Sequence, residues 1–153
     1  MSAVPAEYES LLRNAVRQAQ ENAPRAYDDL LRFASKAAEA VARVTGGVAV
    51  LELLPINRGE AANPAFQLQL RKVGSEAPPS DLGVYALTAA GYPVMRWYSR
   101  PKWERHPQQP DKTYPNAGEL EDNFKWLVSK PESRLVTLVT FFQQQASPVP
   151  SAI

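Results

Sequence analysis

The sequence lacks the side chains on which most catalytic and metal sites depend. It contains no cysteine, and its single histidine is His106. Without thiols the chain can form neither disulfides nor thiolate metal sites, which favours a reducing compartment. A serine triad would need a G-x-S-x-G turn and a zinc site a motif such as H-E-x-x-H, and the sequence has neither. We therefore expect no metal, no cofactor and a function other than catalysis.

Phosphate-binding loops and membrane spans are also missing. The seven glycines form neither a P-loop nor a G-x-G-x-x-G turn. No apolar run approaches the roughly 20 residues that cross a bilayer. The N-terminal MSAVPAEYES lacks the basic and apolar regions of a secretory signal. The sequence thus predicts a cytoplasmic protein that does not enter membranes.

The composition that remains predicts one folded domain. Hydrophobic residues make up 44% of the chain and charged residues 22%, which is typical of globular proteins. A chain of 153 residues is normally a single domain and buries enough surface for a core without disulfides. We assign this domain to residues 1–145 and treat residues 146–153 as a flexible tail.

Two apolar stripes in the first third of the chain predict a pair of helices. Residues at the spacing i, i+3, i+4, i+7 share one helix face. Asn22-Ala23-Pro24 interrupts the pattern, and Pro24 fits the first turn of a new helix. Gly46 and Gly47 supply the C-terminal stop, so the chain should begin with a helical hairpin. The first stripe comprises Tyr8, Leu11, Leu12, Ala15, Val16 and Ala19, and the second Tyr27, Leu30, Leu31, Ala34, Ala37, Ala38, Val41 and Ala42.

Four segments in the middle of the chain predict an antiparallel sheet. Residues 47–54 are apolar on both faces, which favours an interior strand. Residues 66–71 alternate between apolar and polar, and residues 82–89 and 93–99 follow after short turns. Because such connections leave no room for crossover helices, neighbouring strands must be antiparallel. The predicted sheet has about four strands.

The last third predicts a proline-rich loop followed by one or two helices. Residues 99–116 contain four prolines and should be irregular. Asn116 and Glu119 have the form of a capping box at the start of a helix. This helix would bury Leu120, Phe124, Leu127 and Val128. A second capping box at Ser129 would start a last helix. Residues 133–145 also have strand propensity, so the sequence leaves both a helix and a strand possible there. With the helices packed on one face of the sheet, the predicted fold class is α+β.

Two titratable residues have both a structural and a catalytic interpretation. Glu52 interrupts an apolar strand, where a charged carboxylate must be paired or lie at a sheet margin. A pair with a cation such as Arg71 is the structural interpretation, and a carboxylate with a raised pKa is the catalytic one. His106 is either a solvated loop residue or a general base.

One stretch, residues 92–106, concentrates aromatic and basic side chains. The window 92–112 has a net charge of +3, and the rest of the chain has a net charge of −2. Strand alternation predicts Met95 and Trp97 in the core. The candidate binding residues would then face outward or continue into the loop; they are Arg96, Tyr98, Arg100, Lys102, Trp103 and Arg105.

This surface has three interpretations. It is an ordinary folded surface on which Trp103 covers the core, a protein-binding surface, or a site for single-stranded nucleic acid. Tryptophan, tyrosine and arginine dominate protein interfaces, and they also bind stacked bases and phosphates. As a function, the pattern favours a non-enzymatic interaction module or accessory subunit that binds a protein partner through residues 92–106. The alternatives are a single-stranded nucleic-acid-binding accessory domain that uses the same surface, and a carboxylate-dependent enzyme around Glu52.

Overall fold

The computed structural model describes residues 6–56, 63–101 and 109–146, which form a five-stranded sheet and three helices. In chain order the elements are α1 (Ala6–Thr45), β1 (Ala49–Ile56), β2 (Ala65–Lys72), β3 (Ser80–Thr88), β4 (Gly91–Trp97), β5 (Lys112–Tyr114), α2 (Ala117–Ser129) and α3 (Arg134–Ala146). The strands lie in the order β1-β2-β3-β4-β5, each antiparallel to its neighbour. Residues of all three helices join one face of the sheet in a single core. The predicted α+β class and antiparallel meander are confirmed.

The sheet differs from the prediction at its two edges. β1 is an edge strand rather than an interior one, and Leu54 on its outer face is 42% exposed. Pro55 and the charged Glu52 suit an edge, where unpaired backbone groups must not recruit another strand. At the other edge, β5 lies inside the predicted loop 99–116. Three residues between prolines are too few to show the alternation that marks a strand.

The predicted helical hairpin is wrong, because α1 is one helix of 40 residues with Pro24 inside it. Proline removes one helical hydrogen bond and costs roughly 3 kcal/mol in a helix interior. No glycine lies near Pro24 to reverse the chain. The side chains of Gln20 and Pro24 are both exposed, so water can hydrate the backbone that the proline leaves unpaired. The helix therefore continues through it.

The continuous helix leaves the first predicted stripe uncovered. All side chains from 6 to 18 are exposed, including Leu12 at 66% and Val16 at 46%. The second half of α1 does pack on the sheet, as its stripe predicted, through residues such as Leu30 and Val41. Gly91 allows α1 to approach β4 this closely, because a Cβ at position 91 would lie only 2.7 Å from the Cβ of Ala26.

The two C-terminal helices are confirmed, with a later start for the second. The predicted burial of Val128 in the first is wrong, because its side chain is 41% exposed. The side chain of Asn116 accepts a hydrogen bond from the Glu119 amide at 3.0 Å, as the capping box predicted. α3 is helical rather than extended, and its cap is Ser133 instead of Ser129. The Ser133 hydroxyl accepts from the Val136 amide at 3.1 Å and donates to the Leu127 carbonyl at 2.6 Å. That second bond fixes the start of α3 against the end of α2.

Apart from Ala146, which ends α3, the predicted tail 146–153 lies outside the described residues. In the three described ranges, no helix combines the length and the apolarity that a bilayer span requires.

The two halves of α1 should respond differently to truncation. Leu30 is fully buried, so Leu30→Ala should lower the free energy of unfolding by roughly 2–5 kcal/mol. Leu12→Ala makes the same chemical change on the exposed half and should alter it by less than about 0.5 kcal/mol. Urea unfolding followed by circular dichroism measures both values. Equal losses for the two variants would contradict the placement of α1.

Candidate functional site

The strand β4 turns its arginine toward the helices, not toward solvent. Val94, Arg96 and Tyr98 share a face, as alternation predicted, but it is the face that the helices cover. The predicted outward orientation of Arg96 is therefore wrong, and its exposure is only 8%. Trp97 is buried as predicted, but in a smaller cluster on the opposite face, against which Met95 packs. The reversal arises because large residues occupy both faces of β4.

Three neighbouring strands place a tyrosine and two cations in one row across the sheet. Arg96 of β4 lies opposite Tyr85 of β3 on one side and opposite Lys112 of β5 on the other. Directly opposed residues share a face of the sheet. Like charges in such a pair are destabilising, and Arg96 and Lys112 concentrate positive charge at one place on the sheet.

Asn123, on the buried side of α2, joins this row to the helix. Its Oδ1 accepts hydrogen bonds from Arg96 Nη1 at 2.5 Å and from the Tyr114 hydroxyl at 2.7 Å. Its Nδ2 donates to the Tyr85 hydroxyl oxygen at 2.7 Å. Burial raises the pKa of Tyr85 to about 12, so this phenol is neutral at physiological pH. The amide thus uses both acceptor positions and one donor within the core.

The Arg96 guanidinium lies between aromatic rings. Its Cζ is 5.3 Å from the ring centroid of Tyr85 and 5.0 Å from that of Tyr98. Tyr85 in turn stacks on Phe124 of α2, with centroids 5.3 Å apart. Aromatic faces attract a cation without neutralising it. The buried arginine therefore keeps its full charge.

One edge of this guanidinium lacks the partners that a buried donor needs. Nε is buried and has no hydrogen-bond partner among the described residues. Nη2 makes one long hydrogen bond, of 3.4 Å, to the Leu82 carbonyl. In the described part of the chain, no carboxylate forms an ion pair with Arg96. A buried donor without an acceptor costs roughly 1–3 kcal/mol, and more when it is charged. Local conflicts of this kind are expected at functional sites.

A second arginine of the sheet shows the pairing that Arg96 lacks. Arg71 donates from Nε and Nη2 to Glu52 Oε1, at 3.0 and 2.8 Å, and Gln69 donates to Oε2 at 3.1 Å. The Arg71 hydrogen bonds lower the pKa of Glu52 and outweigh the opposing effect of burial. The predicted pair of Glu52 with Arg71 is confirmed, and the raised pKa of the catalytic interpretation is wrong.

Arg96 and Tyr98 line a cavity of about 720 Å³ between β4, β5 and α2, here called the Arg96 cavity. Its wall combines three cations, two carboxylates and three aromatic rings, namely Arg96, Lys112, Arg134, Glu119, Asp122, Tyr98, Tyr114 and Trp126. Tyr98 is 54% exposed and Trp126 is 42% exposed. The volume is that of ordinary ligand pockets. The cations exceed the carboxylates by one, so the lining suits an anion.

Two aspartates fix the backbone that carries Tyr98. Asp111 Oδ2 accepts a hydrogen bond from the Tyr98 amide at 2.7 Å, and Asp81 Oδ2 accepts one from the Arg100 amide at 3.0 Å. Asp81 also accepts from the Gly83 amide at 2.8 Å through Oδ1. The segment after β4 is therefore held at both ends, which places the ring of Tyr98 over Arg96.

The predicted binding residues divide into three groups. Arg96 and Tyr98 meet in the cavity, the first as part of its buried wall and the second near solvent. Arg100 is exposed and donates a hydrogen bond to the Gln67 side chain at 3.4 Å, but it does not line the cavity. Lys102, Trp103, Arg105 and His106 lie outside the described residues.

Sequence reasoning missed four contributors from other elements, namely Lys112, Asn123, Trp126 and Arg134. One signal was present: Asn123 falls in the apolar stripe of α2, between Leu120 and Leu127. A buried amide at such a position must find polar partners. In the described part of the chain, no three histidine, aspartate or glutamate side chains are grouped to hold a metal ion.

Replacing Arg96 by an apolar residue should not destabilise the fold. Arg96→Met removes a buried charge that no carboxylate neutralises, so the free energy of unfolding should stay level or rise by up to about 2 kcal/mol. Asn123→Ala instead leaves that charge without its hydrogen bond and should cost roughly 3–5 kcal/mol. Thermal unfolding of both variants measures these changes. A loss above about 2 kcal/mol for Arg96→Met would mean that the arginine is structural.

Comparison of the chain with family models, curated proteins and solved structures finds no match. A functional assignment therefore depends on the geometry of the Arg96 cavity and the chemistry of its side chains.

Proposed function

We propose that the protein is a non-enzymatic interaction module that binds a protein partner at the Arg96 cavity. The observation that carries this proposal is the pair of half-exposed rings, Tyr98 and Trp126, on the wall of a cavity that also contains a buried arginine. Tryptophan, tyrosine and arginine are the residues that most often dominate binding energy at protein interfaces. The site departs from the sequence-based proposal by including β5 and α2.

The rigidity of the site favours binding. Asp111 holds the backbone of Tyr98, and Trp126 lies within the helix α2. Ordering a mobile side chain costs roughly 0.5–1.5 kcal/mol of binding free energy. Because the backbone around Tyr98 is already fixed, binding does not have to order that segment as well. A partner that inserts a side chain or a chain end between these rings would bury apolar area on both. The cavity is concave, so such an insertion would be its natural mode of binding.

Single-stranded nucleic acid is the second candidate, because three cations and three aromatic rings line the same cavity. Glu119 and Asp122 count against it, since their carboxylates would repel a phosphate backbone. Arg96 also offers little exposed surface for a chain of phosphates. The roles of Lys102, Trp103 and Arg105 stay a prediction for either ligand.

Affinity capture from the source cells should separate these functions. A protein retained by the wild type should be lost with Tyr98→Ala and with Trp126→Ala, since truncating an interface hot spot costs ~2 kcal/mol or more. Phe141→Ala is the matched control, because Phe141 is a 52% exposed ring on α3 that does not line the cavity. All three variants should melt close to the wild type, because each removes an exposed ring.

Two results would contradict the proposal. Equal retention by Tyr98→Ala, Trp126→Ala and the wild type would remove the cavity from the interface. Binding of mixed single-stranded oligonucleotides at low salt, with log affinity falling by about 0.7 per phosphate contact as log salt rises, would favour the nucleic-acid function instead.

A further inference from the structure

We infer that the Arg96 cavity binds a carboxylate group, held by the Nε–Nη2 edge of Arg96, with an adjoining apolar group between Tyr98 and Trp126. This inference rests on the proposed function and specifies the chemistry of the partner. The carboxylate would come from an acidic side chain of the partner or from its C-terminus, since both present the same planar group.

The free edge of the guanidinium is the first observation behind this inference. Asn123 accepts a hydrogen bond from Arg96 Nη1. Nε has no hydrogen-bond partner among the described residues, and Nη2 makes one long hydrogen bond to the Leu82 carbonyl. Nε and Nη2 form the side of the guanidinium that pairs with a carboxylate through two parallel hydrogen bonds. The Tyr114 hydroxyl also interacts with Arg96, but on the pairing edge Nε lacks an acceptor among the described residues and Nη2 has only its long bond to Leu82.

The pair of Arg71 and Glu52 is an internal precedent. Arg71 uses the same two nitrogens, Nε and Nη2, to hold a carboxylate oxygen at 3.0 and 2.8 Å. That pair lies on the outer face of the sheet, where the Arg71 side chain is 43% exposed. Arg96 is far more buried and has no carboxylate among the described residues, although burial is what makes a partner necessary. The missing group is the one that a ligand would bring.

The charge of the cavity selects a carboxylate over a phosphate. Its three cations and two carboxylates leave a net charge of +1, which one carboxylate neutralises and a phosphate dianion overcompensates. Neither Glu119 nor Asp122 forms an ion pair within the described residues, so both would repel the additional charge.

The surroundings of Arg96 require an apolar group beside the carboxylate. Leu82, Leu127, Tyr98 and Trp126 supply the apolar part of the wall. Arg96 Nε is shielded from solvent. The ring of Tyr98 lies over the guanidinium, and the Arg96 Cζ is 5.0 Å from the centroid of that ring. Tyr98 is also 54% exposed, so it is a side chain that can shift to admit the ligand and then pack against it.

Small probes test the inference without knowledge of the partner. Phenylacetate carries a carboxylate beside an apolar ring, phenylacetamide is its neutral match, and inorganic phosphate is the competing anion. Nuclear magnetic resonance titration of the full chain should show phenylacetate binding in the millimolar range, with shifts confined to the cavity. Phenylacetamide and phosphate should each bind at least tenfold more weakly. Arg96→Met should weaken phenylacetate at least tenfold, whereas Arg100→Met, which changes an exposed arginine outside the cavity, should have no effect.

Each failure has a distinct meaning. Equal affinity for phenylacetate and phenylacetamide, unchanged affinity in Arg96→Met, or no binding of phenylacetate would overturn the carboxylate site. Tighter binding of phosphate than of phenylacetate would overturn it in favour of a phosphate ligand. If partner capture still depends on Trp126 after any of these results, the proposed protein-binding function stands while this inference falls. Loss of that dependence with phenylacetate binding intact would instead leave the carboxylate site and remove the proposed function.

Discussion

The hydrogen bond between Arg96 and Asn123 is the interaction on which the geometry of the Arg96 cavity depends. It brings a charged side chain of β4 under a helix and aligns Tyr85 and Tyr114 on the same amide. Because Asn123 satisfies only one end of the guanidinium, the charge is positioned but not neutralised. Tyr85 and Tyr98 lessen the cost by packing their ring faces against it. The result is a buried cation that is held in one orientation at the wall of the cavity.

The rest of the fold positions the walls of that cavity. The short strand β5 brings Lys112 and Tyr114 beside β4. The cap at Asn116 starts α2, which contributes Trp126 to the same cavity as Tyr98. Ser133 then ties the start of α3 to the end of α2 and sets Arg134 at the cavity wall. The long helix α1 covers the sheet elsewhere and contributes no residue to the lining.

Local signals predicted much of the fold and little of the site. Alternation in residues 66–71 and the cap at Asn116 depend on neighbours in sequence, and both were read correctly. The side that Arg96 faces depends on Asn123, 27 residues away, and the usual preference of arginine for solvent predicted the wrong face. The apolar stripe that includes Leu12 shows that the first half of α1 is amphipathic. It does not show whether another part of the chain packs against that apolar face. Trp126 lies off the apolar stripe of α2, so only the packed structure reveals that it faces the same cavity as Tyr98.

The most direct test of the account is the nuclear magnetic resonance signal of the Arg96 Nε–H group, assigned by its loss in Arg96→Met. Because Nε is buried, we expect this signal to be protected from solvent exchange. It should move when phenylacetate is added and stay in place with phenylacetamide. Exchange as fast as that of exposed arginines such as Arg13, or a signal that does not move at saturating phenylacetate, would contradict the claim that Arg96 is a buried, unneutralised charge held for a carboxylate.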